Sequence, residues 1–304
     1  MLWDNLLIDV ANKNFLAIAR AISLVENEVE GSSLFLQQLH SNHTPILGIT
    51  GPPGAGKSTL VDALVANLIT QNKTIAILCI DPSSPFNKGA LLGDRIRLSS
   101  WYNSPNIYIR SLATRGSLGG LHYKIIEITD ILQHAAFDYI IIETVGVGQS
   151  EIEIAGLANT TIVTLVPEAG DEVQTMKAGL MEIADIFVVN KADRPEADIF
   201  VHNLKQMLAP VYKNTAWNVP IVKTIASHKI GITELLESIT LHQLQNITNT
   251  RKLDLLTLKA YQLIQQQLMA TLQQHDLKNA LANEYLLADF NIYTFIKKYT
   301  YGTN

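Results

Sequence analysis

A single cysteine, Cys79, is all the thiol chemistry this chain carries, so no internal disulfide braces it. It falls inside the apolar run Thr74–Ile80, where the expected role is a small buried hydrophobe, not a catalytic thiol. Charge is sparse and only mildly one-sided: 23 Lys and Arg against 28 Asp and Glu give a net −5, which offers no basic surface for nucleic acid. No apolar stretch reaches the ~18–20 residues that span a bilayer. The opening MLWDNLLIDVANKN lacks the basic region and apolar core of a secretory signal. These absences lead us to expect a cytoplasmic protein with neither a membrane nor a nucleic-acid partner. Disorder is excluded as well, because 47% of residues are hydrophobic and 17% charged.

Three zones follow one another. Residues 1–43 read as helix, with Phe15, Ile18, Ala19, Ile22 and Val25 on one apolar stripe. Residues 44–240 alternate strand-like and helix-like segments. Continuous apolar runs at Pro45–Thr50, Thr74–Ile80, Tyr139–Ile142, Thr161–Val166, Ile186–Val189 and Pro220–Ile225 suit strands buried on both faces. Between them, segments such as Ser58–Thr70 and Ile199–Leu208 have helical length. The expected fold is therefore α/β: a doubly wound, mostly parallel sheet with ligands at the strand carboxyl ends. Residues 241–304 show no strand signal. There Leu253, Leu256, Ala260, Leu263, Ile264 and Leu268 share a helical face that must be covered either by the core or by an oligomer contact.

The chemistry concentrates in Gly51-Pro52-Pro53-Gly54-Ala55-Gly56-Lys57-Ser58-Thr59, which matches the phosphate-loop pattern G-x-x-x-x-G-K-[ST] between a strand and a helix. Glycines let the backbone curl until successive N–H groups and a helix N-terminus face the phosphates. Lys57 is expected to bridge the β- and γ-phosphates, Ser58 to ligate Mg²⁺, and Thr59 to meet the α-phosphate. Asp81, Asp94 and Glu143 lie at or after the ends of strand-like runs and are candidate acids for the metal, with no choice made among them as the direct ligand. In Glu143-Thr-Val-Gly-Val-Gly-Gln149, the Gly146 N–H is placed to sense the γ-phosphate. Gln149 is a candidate to orient the attacking water.

Asn190-Lys191-Ala192-Asp193 follows a buried run and matches N-K-x-D, the guanine-specifying pattern. An aspartate accepts from guanine N1–H and the 2-amino group. Adenine offers no such donors, and the unpaired carboxylate would discriminate by roughly 10⁴ or more. Lys191 would cover the base face, and Asn190 would fix the loop and reach the base edge. Ala226-Ser227-His228 fits a last base-binding loop whose N–H meets guanine O6.

Together, ARAISLVEN, GPPGAGKST, DPSSP, LLGDRIRL, TRGSLGG, ETVGVGQSE, AGDEVQ and VVNKAD resemble the MeaB/ArgK/MMAA family of P-loop GTPases. The resemblance implies a homodimeric G-protein chaperone of a cobalamin-dependent acyl-CoA mutase, typically methylmalonyl-CoA mutase. Such a protein binds GTP and GDP with Mg²⁺ and gates cofactor loading. It implies slow hydrolysis alone and faster hydrolysis with the partner. It also makes Ala169–Lys177 a switch, with Asp171 and Lys177 as catalytic candidates beside Lys57 and Gln149, and it brings Arg115 near the phosphates. A kinase of the ArgK type acting on a transport-system protein is the alternative. A metal-inserting GTPase is disfavoured by the lone cysteine and the lack of close histidine pairs with ligand spacing.

Overall fold

The computed structural model describes residues 2–81, 95–113, 121–144, 150–167, 178–210, 217–245, 250–269, 274–286 and 290–300. Seven strands form one all-parallel sheet: β1 Ile46–Thr50, β2 Ile75–Asp81, β3 Ile107–Ala113, β4 Tyr139–Glu143, β5 Thr160–Leu165, β6 Ile186–Val189 and β7 Ile221–Lys223. Their order is β3-β2-β4-β1-β5-β6-β7, which places β1 next to both β4 and β5. Parallel strands need crossover connections, and helices supply them: α4 Lys57–Thr70, α5 Ile125–His134, α6 Ser150–Leu157, α7 Ala178–Ile183, α8 Ala197–Leu208 and α9 Ile232–Leu244. Ahead of the sheet come α1 Leu2–Ala11, α2 Phe15–Glu26 and α3 Ser32–Gln37.

Alternation along the strands sends side chains to two cores. Ile162 of β5 and Val188 of β6 pack with Leu60 and Leu64 of α4 and Leu235 of α9. Their neighbours Val163 and Phe187 pack on the opposite face with Ile183 of α7 and Leu204 of α8. Both faces of the central strands are thus dry, which is why these strands read as unbroken Ile/Val runs. Cys79 is buried in the first of these cores, as expected.

β3 has no counterpart among the continuous apolar runs, and the reason is physical. It is an edge strand carrying Arg110 and Ser111, so it lacks the apolar run of its neighbours. Its charge is compensated from far along the chain. Arg110 pairs with Glu26 and donates to Ser23 Oγ (3.1 Å), both on α2, while Phe15 packs edge-on to Tyr108 at 5.6 Å. Asn14 caps α2 by accepting from the N–H groups of Leu16 and Ala17, both at 3.1 Å. The first helices are therefore part of the same compact unit as the sheet, which extends from Met1 to Leu253.

Asp254–Asn304 forms a second unit. Its α11 Gln274–Tyr285 and α12 Ile292–Thr300 are joined by Lys298, which contacts Glu284 at 2.6 Å, and Phe295 lies buried between Phe290 and Tyr299. On α10 Thr250–Leu268 the leucine stripe is exposed, including Leu256, Leu263, Ile264 and Leu268. None of the helices in the described residues is long and apolar enough to cross a membrane.

Candidate nucleotide site

Between the last residue of β1 and the first of α4, the chain turns through Gly51, Gly54 and Gly56, with φ of 136°, 78° and 86°. All three angles lie where L side chains are strained. At Gly51 the constraint is also steric, because a Cβ would stand 2.1 Å from the Thr164 carbonyl oxygen of β5. The loop delivers Lys57 and Ser58 to the first turn of α4, both nearly fully buried. The Lys57 amine donates to the carbonyls of Gly51 (2.9 Å) and Pro52 (3.1 Å), so it is held over the loop.

Glu143 reaches the same place because β4 lies beside β1 in register, with Glu143 opposite Ile49. The Ser58 hydroxyl donates to Glu143 Oε1 at 2.6 Å. One residue on, the Thr144 hydroxyl donates to Thr50 Oγ1 at 2.9 Å, tying the ends of β4 and β1 together. These groups open onto a cleft of about 770 Å³ whose lining includes Lys57, Ser58, Glu143, Asp62 and Lys191.

For Mg²⁺ the relevant test is donor chemistry. A serine hydroxyl and a carboxylate oxygen 2.6 Å apart at the cleft wall are hard oxygen donors, the kind this ion prefers. The pair fits. Asp81 closes β2, the strand next to β4, but its side chain lies outside the described residues, as do Asp94, Arg115, Gly146, Gln149, Asp171 and Lys177.

The second half of the site is built around Asn190, which is 2% exposed at the end of β6. Its Nδ2 donates to the Ala55 carbonyl (3.0 Å), and its Oδ1 accepts from the Thr224 hydroxyl and the Ala226 N–H, both at 3.1 Å. One carboxamide therefore joins the phosphate loop, the β6 turn and the segment after β7. Gly56 is required here as well, since a Cβ there would sit 2.4 Å from Asn190 Nδ2. All three bonds fix loops around the cleft. Lys191 lines the cleft, and its amine donates to the Gly54 carbonyl at 2.8 Å. Asp193 is exposed in the turn beyond, and Ala226–His228 forms a short 3-10 turn with Ala226 buried and Ser227 and His228 exposed.

Two residues at the site carried no motif. Asp62 lines the cleft one helical turn past Ser58, and its Oδ1 accepts from the indole N–H of Trp101 at 2.6 Å. The only signal available in the sequence was the i, i+4 spacing from Ser58.

The family model for methylmalonyl Co-A mutase-associated GTPase MeaB matches residues 18–281. The chain belongs to this family. A Pyrococcus horikoshii protein classed as a GTPase is 45% identical over 232 residues, covering 75% of this chain and 73% of its own. GTPase ArgK of Escherichia coli is 34% identical over 232 residues, covering 73% and 70%. The mouse methylmalonic aciduria type A homolog is 33% identical over 220 residues, covering 70% and 53%. Among solved structures, a LAO/AO transport system kinase superposes with a TM-score of 0.70 over 98% of this chain and 97% of its own; at 24% identity that likeness concerns the fold. This member of the MeaB family thus has the parallel sheet and flanking helices of a P-loop GTPase.

Proposed function

We propose that this chain binds GTP with Mg²⁺, hydrolyses it slowly to GDP and phosphate, and uses the change of nucleotide to act on a cobalamin-dependent acyl-CoA mutase. The observation that carries the nucleotide part is the shared cleft: Lys57, Ser58 and Glu143 on one side and Lys191 on the other, with Asn190 locking the three loops. On this reading Lys57 leaves its carbonyl contacts to meet β- and γ-phosphate oxygens. Ser58 and Glu143 hold the cation, and a bound Mg²⁺ supplies charge neutralisation of those oxygens. Asp193 reads guanine N1–H and the 2-amino group, Lys191 covers the ring, and the turn Ala226–His228 offers an N–H to O6. Gly146 and Gln149 serve the γ-phosphate and the water, with Asp171 and Lys177 completing the partner-dependent site.

The mutase assignment draws on the description of the family model and on the name of the mouse relative. Gating requires that GTP and GDP favour different loop arrangements, since a ligand shifts an equilibrium only by its differential affinity. The exposed stripe of α10 supports a homodimer. Calorimetry with GDP and ADP tests the base site: wild type should prefer GDP by about 10⁴, and Asp193→Ala should erase the difference. Equal uptake of both nucleotides by wild type would refute it. Methylmalonyl-CoA mutase added to the protein should raise the hydrolysis rate; a rate indifferent to mutase would remove the chaperone part.

A further inference from the structure

The phosphate cleft contains an acid that no motif assigns. Among its described lining residues the ionisable groups are Lys57 and Lys191 against Glu143 and Asp62, so the formal charges cancel, two against two. A polyphosphate entering such a cleft meets as much negative as positive charge. Glu143 is tied to the phosphate loop by its bond from Ser58, whereas Asp62 is bonded to Trp101, outside that loop.

Asp62 stands on α4 four residues beyond Ser58, and residues so spaced lie one above the other on the same helix face. One of its oxygens is committed to the Trp101 indole at 2.6 Å, yet the carboxylate still lines the cleft. Trp101 ends the 3-10 helix Arg95–Trp101 and packs against the core shared with α4, alongside buried Leu98. The indole therefore comes from a platform packed against the core. A donor from such a platform fixes the carboxylate rotamer, since an indole N–H has one direction and the acceptor must face it.

We propose that Asp62 is a positioning residue for the metal–nucleotide complex: held by Trp101, it accepts hydrogen bonds from water molecules around the cation that Ser58 and Glu143 bind. Magnesium keeps several of its waters, and their outward protons need acceptors near the groups that hold the ion. An anion in a phosphate cleft is otherwise repulsive, and a hydrated cation between the two turns it into a favourable group. Trp101 couples the same event to the 3-10 helix, so metal binding alters the indole environment. This inference rests on the proposed nucleotide site, deepening it by one residue pair.

The experiment measures GDP affinity of the full chain across a Mg²⁺ titration and in EDTA. For Asp62→Asn, whose amide oxygen still accepts from Trp101, the Mg²⁺ concentration at half-effect should rise about tenfold, while affinity in EDTA stays near wild type or improves. Asp62→Glu, which keeps the charge, should stay within about threefold of wild type. Trp101→Phe should raise the half-effect concentration by a smaller factor, because the charge remains and only its orientation is lost. In parallel, adding Mg²⁺ to the GDP complex should change tryptophan emission in wild type but not in Trp101→Phe. A merely structural role would lower affinity equally with and without metal. An unchanged Mg²⁺ half-effect in Asp62→Asn would overturn the inference while leaving the nucleotide reading intact. Absence of GDP binding by wild type in either condition would remove that reading and this inference with it.

Discussion

Asn190→Ala tests how the two halves of the nucleotide site are held together. The side chain makes three bonds and is nearly inaccessible to water, so its removal strands the Ala55 carbonyl, the Thr224 hydroxyl and the Ala226 N–H around a small cavity. A buried polar group deprived of its partner costs about 1–3 kcal/mol. Taking the low end for each, because water can enter the space, the three sum to about 3–4 kcal/mol. A domain is stable by about 5–15 kcal/mol, so the variant should still fold but lose a large share of its margin. With a urea slope near 3 kcal/mol per M, the midpoint should fall by roughly 1 M. Thr224→Val removes only one donor and should cost about 1 kcal/mol. In the double variant that bond is already gone, so the total should fall short of the sum by about 1 kcal/mol. GDP affinity should drop at least tenfold in Asn190→Ala, since the phosphate loop loses its tie to the base-side loops. A loss under 1 kcal/mol, or full additivity with Thr224→Val, would show that the carboxamide does not lock the loops.

Gly51→Ala should destabilise the protein by about 3 kcal/mol through its positive φ alone, more once the Thr164 carbonyl must shift, and thermal unfolding would measure it. Ser58→Ala removes the hydroxyl that Glu143 accepts from and should abolish most of the Mg²⁺ enhancement of GDP binding, read by calorimetry with and without EDTA. At Glu26, burial raises the carboxyl pKa, but the His122 ring 3.2 Å away and the charge of Arg110 outweigh it and hold it below its usual 4.5. Its stabilisation is thus complete above pH 4.5 and lost as pH falls through the lower folded value. Urea midpoints should accordingly show wild type exceeding Glu26→Gln at neutral pH, with the gap closing under acid. Replacing Leu256 and Leu263 on α10 by serine should convert a dimer to a monomer in light scattering; a monomeric wild type would count against the stripe as a contact.

Legibility tracked how far apart in the chain the interacting groups lie. The phosphate loop is contiguous, so its glycines, Lys57 and Ser58 could be read directly, as could N-K-A-D after the run that became β6. Five of the seven strands were visible because both their faces are dry; β7 was visible as the short run Pro220–Ile225 although its Lys223 is exposed; and β3 was hidden because its Arg110 is balanced by Glu26, 84 residues earlier. The role of residues 1–43 was hidden for the same reason. Their stripe says only that something is buried; that these helices pack on α5 and reach the edge strand β3 through Glu26 and Phe15 appears only in three dimensions.

By itself, the sequence determined which backbone segments could be strands, where the chain must curl around an anion, and which residue types wait there. Tertiary structure decided which of those residues meet. Sheet order put β4 beside β1 and so Glu143 beside Ser58; the ends of β6 and β7 met the phosphate loop through one buried carboxamide; and a 3-10 helix brought Trp101 to Asp62 across 39 positions. The physical reason is that local propensity acts over a few residues, whereas hydrogen bonds between side chains distant in the chain exist only after apolar burial has fixed the layers that carry them.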